Sequence, residues 1–346
     1  MDKVFSKDHT NLVKGIATCF LLWHHLFLAD NGIFSEITII LAQLGKVCVT
    51  LFLILSRYGL SESFKKNQSG VKDFYKRHLI KLYTTYWTIW VIFVPIGVIF
   101  WGRSFTYVYG SNIYLKLLIN IGGLQHFFGF EGYNATWWFM SLIIMLYLMF
   151  PFLYRLSKKY PLATVGMGIL VIMISDSIMG AYNFITIYSI YSISFVIGII
   201  SSQKELFLRI ANYRVHNKYI KLIVYMFALM SIILIRMYNT VLYRTQIDTF
   251  LAYIIILISI EYISNIKYLN KFLILIGVHS FNIFLIHTFI YGYYFADFIY
   301  SFKIPALIFM MLLLACLLVS VLTEKFKSML RMVWYSILNN KNRNVT

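Results

Sequence analysis

Charge is scarce in these 346 residues: Asp, Glu, Lys and Arg together make up 13%, against about 25% in an ordinary soluble domain. Proline, at 4, and cysteine, at 3, are nearly missing. So little proline beside 18% aromatics excludes disorder and fibrous repeats. Three cysteines cannot build a disulfide scaffold, and they leave the redox compartment unread. What abounds is apolar. Hydrophobic residues make up 60% of the chain, more than a soluble fold of this size could hide from water. The chain is expected to live in a membrane.

Crossing roughly 30 Å of hydrocarbon takes about 20 residues of helix. Ten stretches qualify: 12–29, 38–56, 79–101, 137–154, 161–180, 184–201, 218–236, 247–264, 272–295 and 303–323. The apolar stretch 113–129 is broken by a Gly pair and carries Lys116 and His126, so it reads as an interfacial or re-entrant helix. No cleavage site follows a span, so a removable signal peptide is not expected. The expected fold is all-α and polytopic, with about ten transmembrane helices. No linker or internal repeat divides residues 1–346, which points to a single membrane domain.

The net charge of +18 raises nucleic acid as a partner until the bases are located. With a cytoplasmic N-terminus, 25 of the 31 Lys and Arg fall on the inner side and five (Arg103, Lys116, Arg236, Arg244, Lys303) fall outside. Lys46 sits within the second span. Such a split is the positive-inside bias. It places both termini in the cytoplasm and leaves no case for nucleic acid. The polar insert 57–78 is then cytoplasmic, and 102–136 is the largest outer feature. Nothing in the sequence speaks to oligomeric state.

Ionisable groups inside spans are costly and are functional candidates by default. In the first span, KGIATCFLLWHHLF, Lys14 stands at the inner mouth and His25 follows eleven residues later. At about 100° and 1.5 Å per residue they share nearly one helix face, roughly 16 Å apart, while His24 points about 100° away. Histidine titrates near neutral pH, which suits a general base. Two histidines satisfied by neighbouring helices are the plainer alternative. Lys46 lies about 16 Å above the inner end of its span, near the depth of His25, and either lines a tunnel or pairs with an acid. Trp137 and Trp138 open a span at the outer interface. An aromatic belt is the default there, with carbohydrate stacking the sharper reading. Glu261, near a span end, reads as solvated. No metal-ligand spacing, phosphate-binding Gly loop or Ser–His or Cys–His pair is visible.

A basic residue, ten intervening residues and a histidine on the first span resemble the acyltransferase-3 family of membrane acyltransferases. GKVCVTLFLILSRYGLSESF resembles that family's second span, and KRHLIKLYTTYW its basic approach to span three. TWWFMSLIIMLYLMFPFLY resembles its Trp-Phe, Tyr, Pro span, and SFNIFLIHTF its late Ser, Tyr-Leu, His span. Together they cover about residues 10–325. Three departures stand out. Lys14 occupies a common Arg position, His78 and Lys81 replace an Arg pair, and Arg57 replaces Gly after Ser56.

The resemblance implies O-acylation of surface glycans or similar acceptors at the cell membrane, with acyl-CoA, most often acetyl-CoA, as co-substrate and no bound cofactor. Lys14, Arg77, His78 and Lys81 would hold the donor phosphates at the inner face, although positive-inside charge alone also accounts for such bases. His25 would take the proton of the acceptor hydroxyl. Lys46, Ser56, Trp138 and His287, the family's late His, become candidates for a tunnel or acceptor site. The competing class is a transporter or flippase for a lipid-linked sugar. It fits the spans equally well, but no repeat symmetry or pair of broken helices supports it.

Overall fold

The computed structural model describes residues 5–28, 33–66, 70–179, 184–213, 217–238 and 244–343, with side chains for all of these except Lys66, Asp176, Met179, Arg244 and 333–343. Both chain ends, 1–4 and 344–346, lie outside the described residues. The elements are all helical: α1 Lys7–Phe27, α2 Glu36–Gly45, α3 Val47–Lys66, α4 Val71–Phe100, α5 Phe105–Tyr109, α6 Ile113–Ile121, α7 Trp138–Lys159, α8 Pro161–Met179, α9 Phe184–Gln203, α10 Leu206–Asn212, α11 Lys218–Tyr238, α12 Arg244–Glu261, α13 Lys267–Thr288, α14 Ala296–Tyr300 and α15 Pro305–Arg343. No strand occurs among the described residues.

By length and composition, 8 helices among the described residues can cross a membrane: the α2–α3 pair, α4, α7, α9, α11, α12, α13 and α15. The two other expected spans overlap α1, which carries Lys7, Asp8 and Lys14, and α8, whose apolar stretch is shorter at Pro161–Ser175. The chain is an all-α polytopic membrane protein.

Helix α1 runs through the middle of the core. It starts on a capping box, in which the Ser6 hydroxyl accepts from His9 N and the His9 ring accepts from Ser6 N. It crosses α13 closely because both helices present glycine at the crossing. A Cβ on Gly15 would collide with the Leu273 carbonyl, and one on Gly277 with the Asn11 carbonyl. Small residues drive helix association in lipid by allowing such backbone approach. This crossing sets the depth of α1 against α13.

The stretch 113–129 does not form one long helix but splits into α6 and the 3-10 turn Gln125–Phe128. Nine-residue α6 spans about 14 Å, too short to cross. Its final carbonyls would be orphaned in lipid. One ring face of α4 satisfies them instead: Tyr86 donates to Asn120 O (2.5 Å), Trp87 Nε1 to Ile121 O (2.9 Å) and Tyr83 to Gly122 O (2.9 Å).

The structure corrects the reading of several charged residues. The second span breaks at Lys46, and α3 continues to Lys66, so much of the expected polar insert is helix. Arg57 is fully buried in α3, with its Cζ 4.2 Å from the rings of both Tyr147 and Phe195. Gly198 of α9 makes room, since a Cβ there would press on the Ile54 carbonyl and Arg57 Cβ. Arg236 is not in an outer loop. It is buried in α11, pairs with Asp248 of α12 and donates through Nη2 to Gln43 O (2.9 Å). Lys327, counted with the inner loop charges, is buried as well. It pairs with Glu324 and donates to Thr85 Oγ1 (3.2 Å). Glu261 is held rather than solvated, by Lys221 Nζ at 2.7 Å and the Tyr225 hydroxyl at 2.6 Å.

Candidate active site

A cavity of about 480 Å³ lies where the ends of α1, α3, α7, α9 and α12 meet the 3-10 turn Gln125–Phe128. On the orientation expected from the charge distribution, these ends face the outer side. Three residues chosen from sequence, His25, Lys46 and Trp138, line it together with His24, Cys48, His126, Tyr191 and Thr245. Trp137, expected in an interfacial belt, is instead fully buried and donates through Nε1 to Leu285 O (3.1 Å). That bond turns Trp138 toward the cavity.

Three histidines meet beside the cavity. The His25 ring is 5.0 Å from His24 and 4.9 Å from His287, centroid to centroid. Their hydrogen bonds separate their roles. His24 Nδ1 donates to Ala42 O (2.6 Å), tying α1 to α2. His287 is fully buried behind His25, and its Nδ1 donates to Phe284 O (2.8 Å). A ring nitrogen committed to a backbone carbonyl fixes the tautomer and the ring orientation. No such bond to the His25 ring occurs among the described residues. His25 is half-buried and lines the cavity, so it can turn a lone pair to an incoming hydroxyl.

Directly after His287, residues Phe289–Tyr294 form a π-helical segment, a device that recurs at functional sites. Thr288 and Thr136 hydroxyls meet there at 3.0 Å, and Thr136 donates to Asn134 Oδ1 (2.8 Å). Sequence reasoning noted His126 without giving it a role. The residue is half-buried, its buried Nε2 has no hydrogen-bond partner among the described residues, and burial pushes its imidazole below the usual range, which favours the neutral form.

At the inner end of α1, Lys14 is half-buried with Lys81 and Lys7 in electrostatic reach. His78 packs on Phe74 (4.5 Å) and near Tyr147 (6.4 Å), with Lys81, Arg77 and the buried Arg57 around it. The structure therefore gathers Lys14, His78 and Lys81 and adds Arg57 behind them. Arg77 is at the exposed edge, where its Nε donates to Asp73 O (3.3 Å). Ser56 is half-buried on α3 and is not among the residues lining the cavity. A Ser–His pair does exist, contrary to the sequence reading: His279 Nδ1 and Ser320 Oγ are 2.8 Å apart between α13 and α15. It lies outside the cavity. No group of His, Cys, Asp and Glu suited to a metal ion occurs among the described residues.

An inner cluster of cations and an outer cavity bearing an uncommitted histidine thus occupy the two ends of α1. The acyltransferase-3 family profile, described as an acyltransferase domain, matches residues 10–325. An acyltransferase of Streptomyces mycarofaciens, MdmB, is 27% identical over 139 residues, which are 39% of this chain and 35% of that protein. The match thus spans about a third of that relative's length. No solved structure matches the chain. The family match takes in Lys14, His25 and every helix that lines the cavity, and the chain belongs to the acyltransferase-3 family.

Proposed function

We propose that the protein, working as one membrane domain over residues 1–346 in the plasma membrane, moves an acyl group from cytoplasmic acyl-CoA to a hydroxyl of an extracytoplasmic glycan. In this reading the group is acetyl. The observation that carries the proposal is the cavity-facing His25, uncommitted between two histidines bonded to backbone carbonyls. Lys14, His78 and Lys81 meet the donor phosphates at the inner face, and Lys14 stands eleven residues below His25 on one helix. The pantetheine arm then carries the thioester up toward His25.

His25 takes the proton of the acceptor hydroxyl as its oxygen attacks the thioester carbonyl. The C–S bond breaks, the ester C–O bond remains, and the proton passes from the imidazolium to the departing CoA sulfur. Direct transfer of this kind needs no protein nucleophile. His287 sets the tilt of His25 from behind, and Lys46 and Trp138 face the acceptor across the cavity.

Sidedness tests the proposal. In sealed inside-out vesicles, added labelled acetyl-CoA should acylate acceptor in the lumen. Right-side-out vesicles given the same donor should yield little product. Equal labelling in both orientations would remove the vectorial route, and no labelling in either would favour a transporter of lipid-linked sugar.

The cation cluster should govern donor affinity more than turnover. Removing one charge-assisted hydrogen bond to a phosphate in a partly solvated site costs about 1.5–3 kcal/mol, roughly ten- to a hundredfold in binding. Lys14→Ala and Lys81→Ala should each raise the donor KM by such a factor with kcat little changed. A donor KM unchanged in both variants would reduce the cluster to a topology signal.

A further inference from the structure

A second cavity, of about 470 Å³, lies in the outer region and shares no lining residue with the first. Two of the five bases that the sequence places outside, Arg103 and Lys116, converge on it, with the exposed Glu131 as the acid in its wall. Outer loops are where such charges are least expected. Arg103 is held in place: its Cζ sits 3.8 Å over the Tyr293 ring, and its Nη2 donates to Tyr133 O (2.9 Å). Its Nε is buried without a hydrogen-bond partner among the described residues. Tyr293 and the exposed Tyr107 add aromatic faces of the kind that stack on a sugar ring.

Behind the wall of this cavity, Gly132 packs against the buried Asn120 and Gln125. Gly132, at φ +75°, lies in its wall, and a Cβ there would press on Asn120 Nδ2 and Gln125 Cγ. Gln125 is fully buried, yet neither its amide nitrogen nor its amide oxygen has a hydrogen-bond partner. Orphaned groups of this kind in a native structure call for a missing partner. The two cavities also share their supporting elements. Residues 125–132 give His126 to the first and Glu131 and Gly132 to the second. The π-helical segment that carries Tyr293 also places Tyr291 6.4 Å from His25, ring to ring.

We propose that this second cavity is an acceptor subsite for an anionic saccharide, a sugar ring bearing a carboxylate or a phosphate. Arg103 and Lys116 hold the charge, and Tyr107 and Tyr293 stack on the ring. The inference rests on the acyl-transfer reading for its purpose, since a residue held here lets its neighbour along the glycan reach His25.

Titration calorimetry on the purified full-length protein tests it with three probes: an oligogalacturonate, mannose 6-phosphate, and a neutral malto-oligosaccharide. One or both anionic probes should bind, which tells carboxylate from phosphate, with the neutral one at least about tenfold weaker. Binding should weaken as salt rises. Arg103→Gln and Lys116→Gln should each cost at least about tenfold, and Glu131→Gln should leave binding equal or tighter. Where Arg103→Gln disturbs folding because the guanidinium no longer packs on Tyr293, Lys116→Gln and Glu131→Gln decide. His25→Ala should bind the anionic probe as the native protein does, so the subsite stands even where transfer fails. Binding of the neutral probe as tightly as the anionic ones, no binding of either anionic probe, or indifference to Lys116→Gln would overturn the subsite and leave acyl transfer untouched.

Discussion

His25→Ala should abolish acyl transfer, lowering turnover by about a hundred- to ten-thousandfold, the usual contribution of a positioned general base. Membrane abundance should stay near native, because the His25 ring makes no hydrogen bond among the described residues that its removal would orphan. His24→Ala should behave differently. It removes the bond to the Ala42 carbonyl that ties α1 to α2, so it should cost stability and only part of the activity. Both variants, assayed with labelled acetyl-CoA at matched protein level, separate the two adjacent residues. A dead His24→Ala beside a near-native His25→Ala would transfer the base to the wrong-facing neighbour and end the present assignment.

Arg236→Ala should unfold the protein or nearly so. The substitution leaves Asp248, 1% exposed, as a charge in the core with its guanidinium partner gone. Breaking a buried pair from one side typically costs about 3–5 kcal/mol, a large part of the total stability of an ordinary domain. The Gln43 carbonyl loses its donor at the same time. Replacing both partners, as Arg236→Leu with Asp248→Leu, removes both buried charges and should recover much of the stability. Thermal denaturation followed by size-exclusion chromatography reads all three proteins. A single Arg236→Ala variant as stable as native would mean that the pair contributes no net stability.

Much of this protein is visible in composition and spacing. Each of the ten apolar stretches overlaps a helix, because the length of a helical span is imposed by bilayer thickness and shows directly as a run of apolar residues. The five ordered motifs identified the family for a related reason. Lys14 and His25 are eleven residues apart on a continuous helix, so their common face follows from helical geometry alone. Stretch 113–129 is readable as something other than a full span because its Gly pair and charges break the run.

Depth and pairing are a different matter. Hydropathy assigns Arg57, Arg236 and Lys327 to aqueous loops because a charge ends an apolar run. In the structure each is buried against a partner on another helix: Tyr147 and Phe195, Asp248, and Thr85, with Lys327 also paired to Glu324 on its own helix. No periodicity within one segment reveals which helix will face it. The same limit applies to the histidines. Spacing separates the His24 face from the His25 face, but it does not say which ring is tied to a carbonyl and which is open to a cavity. That distinction follows from the close crossing of α1 and α13 at Gly15 and Gly277, which sets His25 against His287, and from α2, whose Ala42 carbonyl engages His24. Covalent chain order determines what each helix is; the packing of helices far apart in the chain determines what each side chain meets, because in lipid that choice is made by shape fit and hydrogen-bond satisfaction between helices.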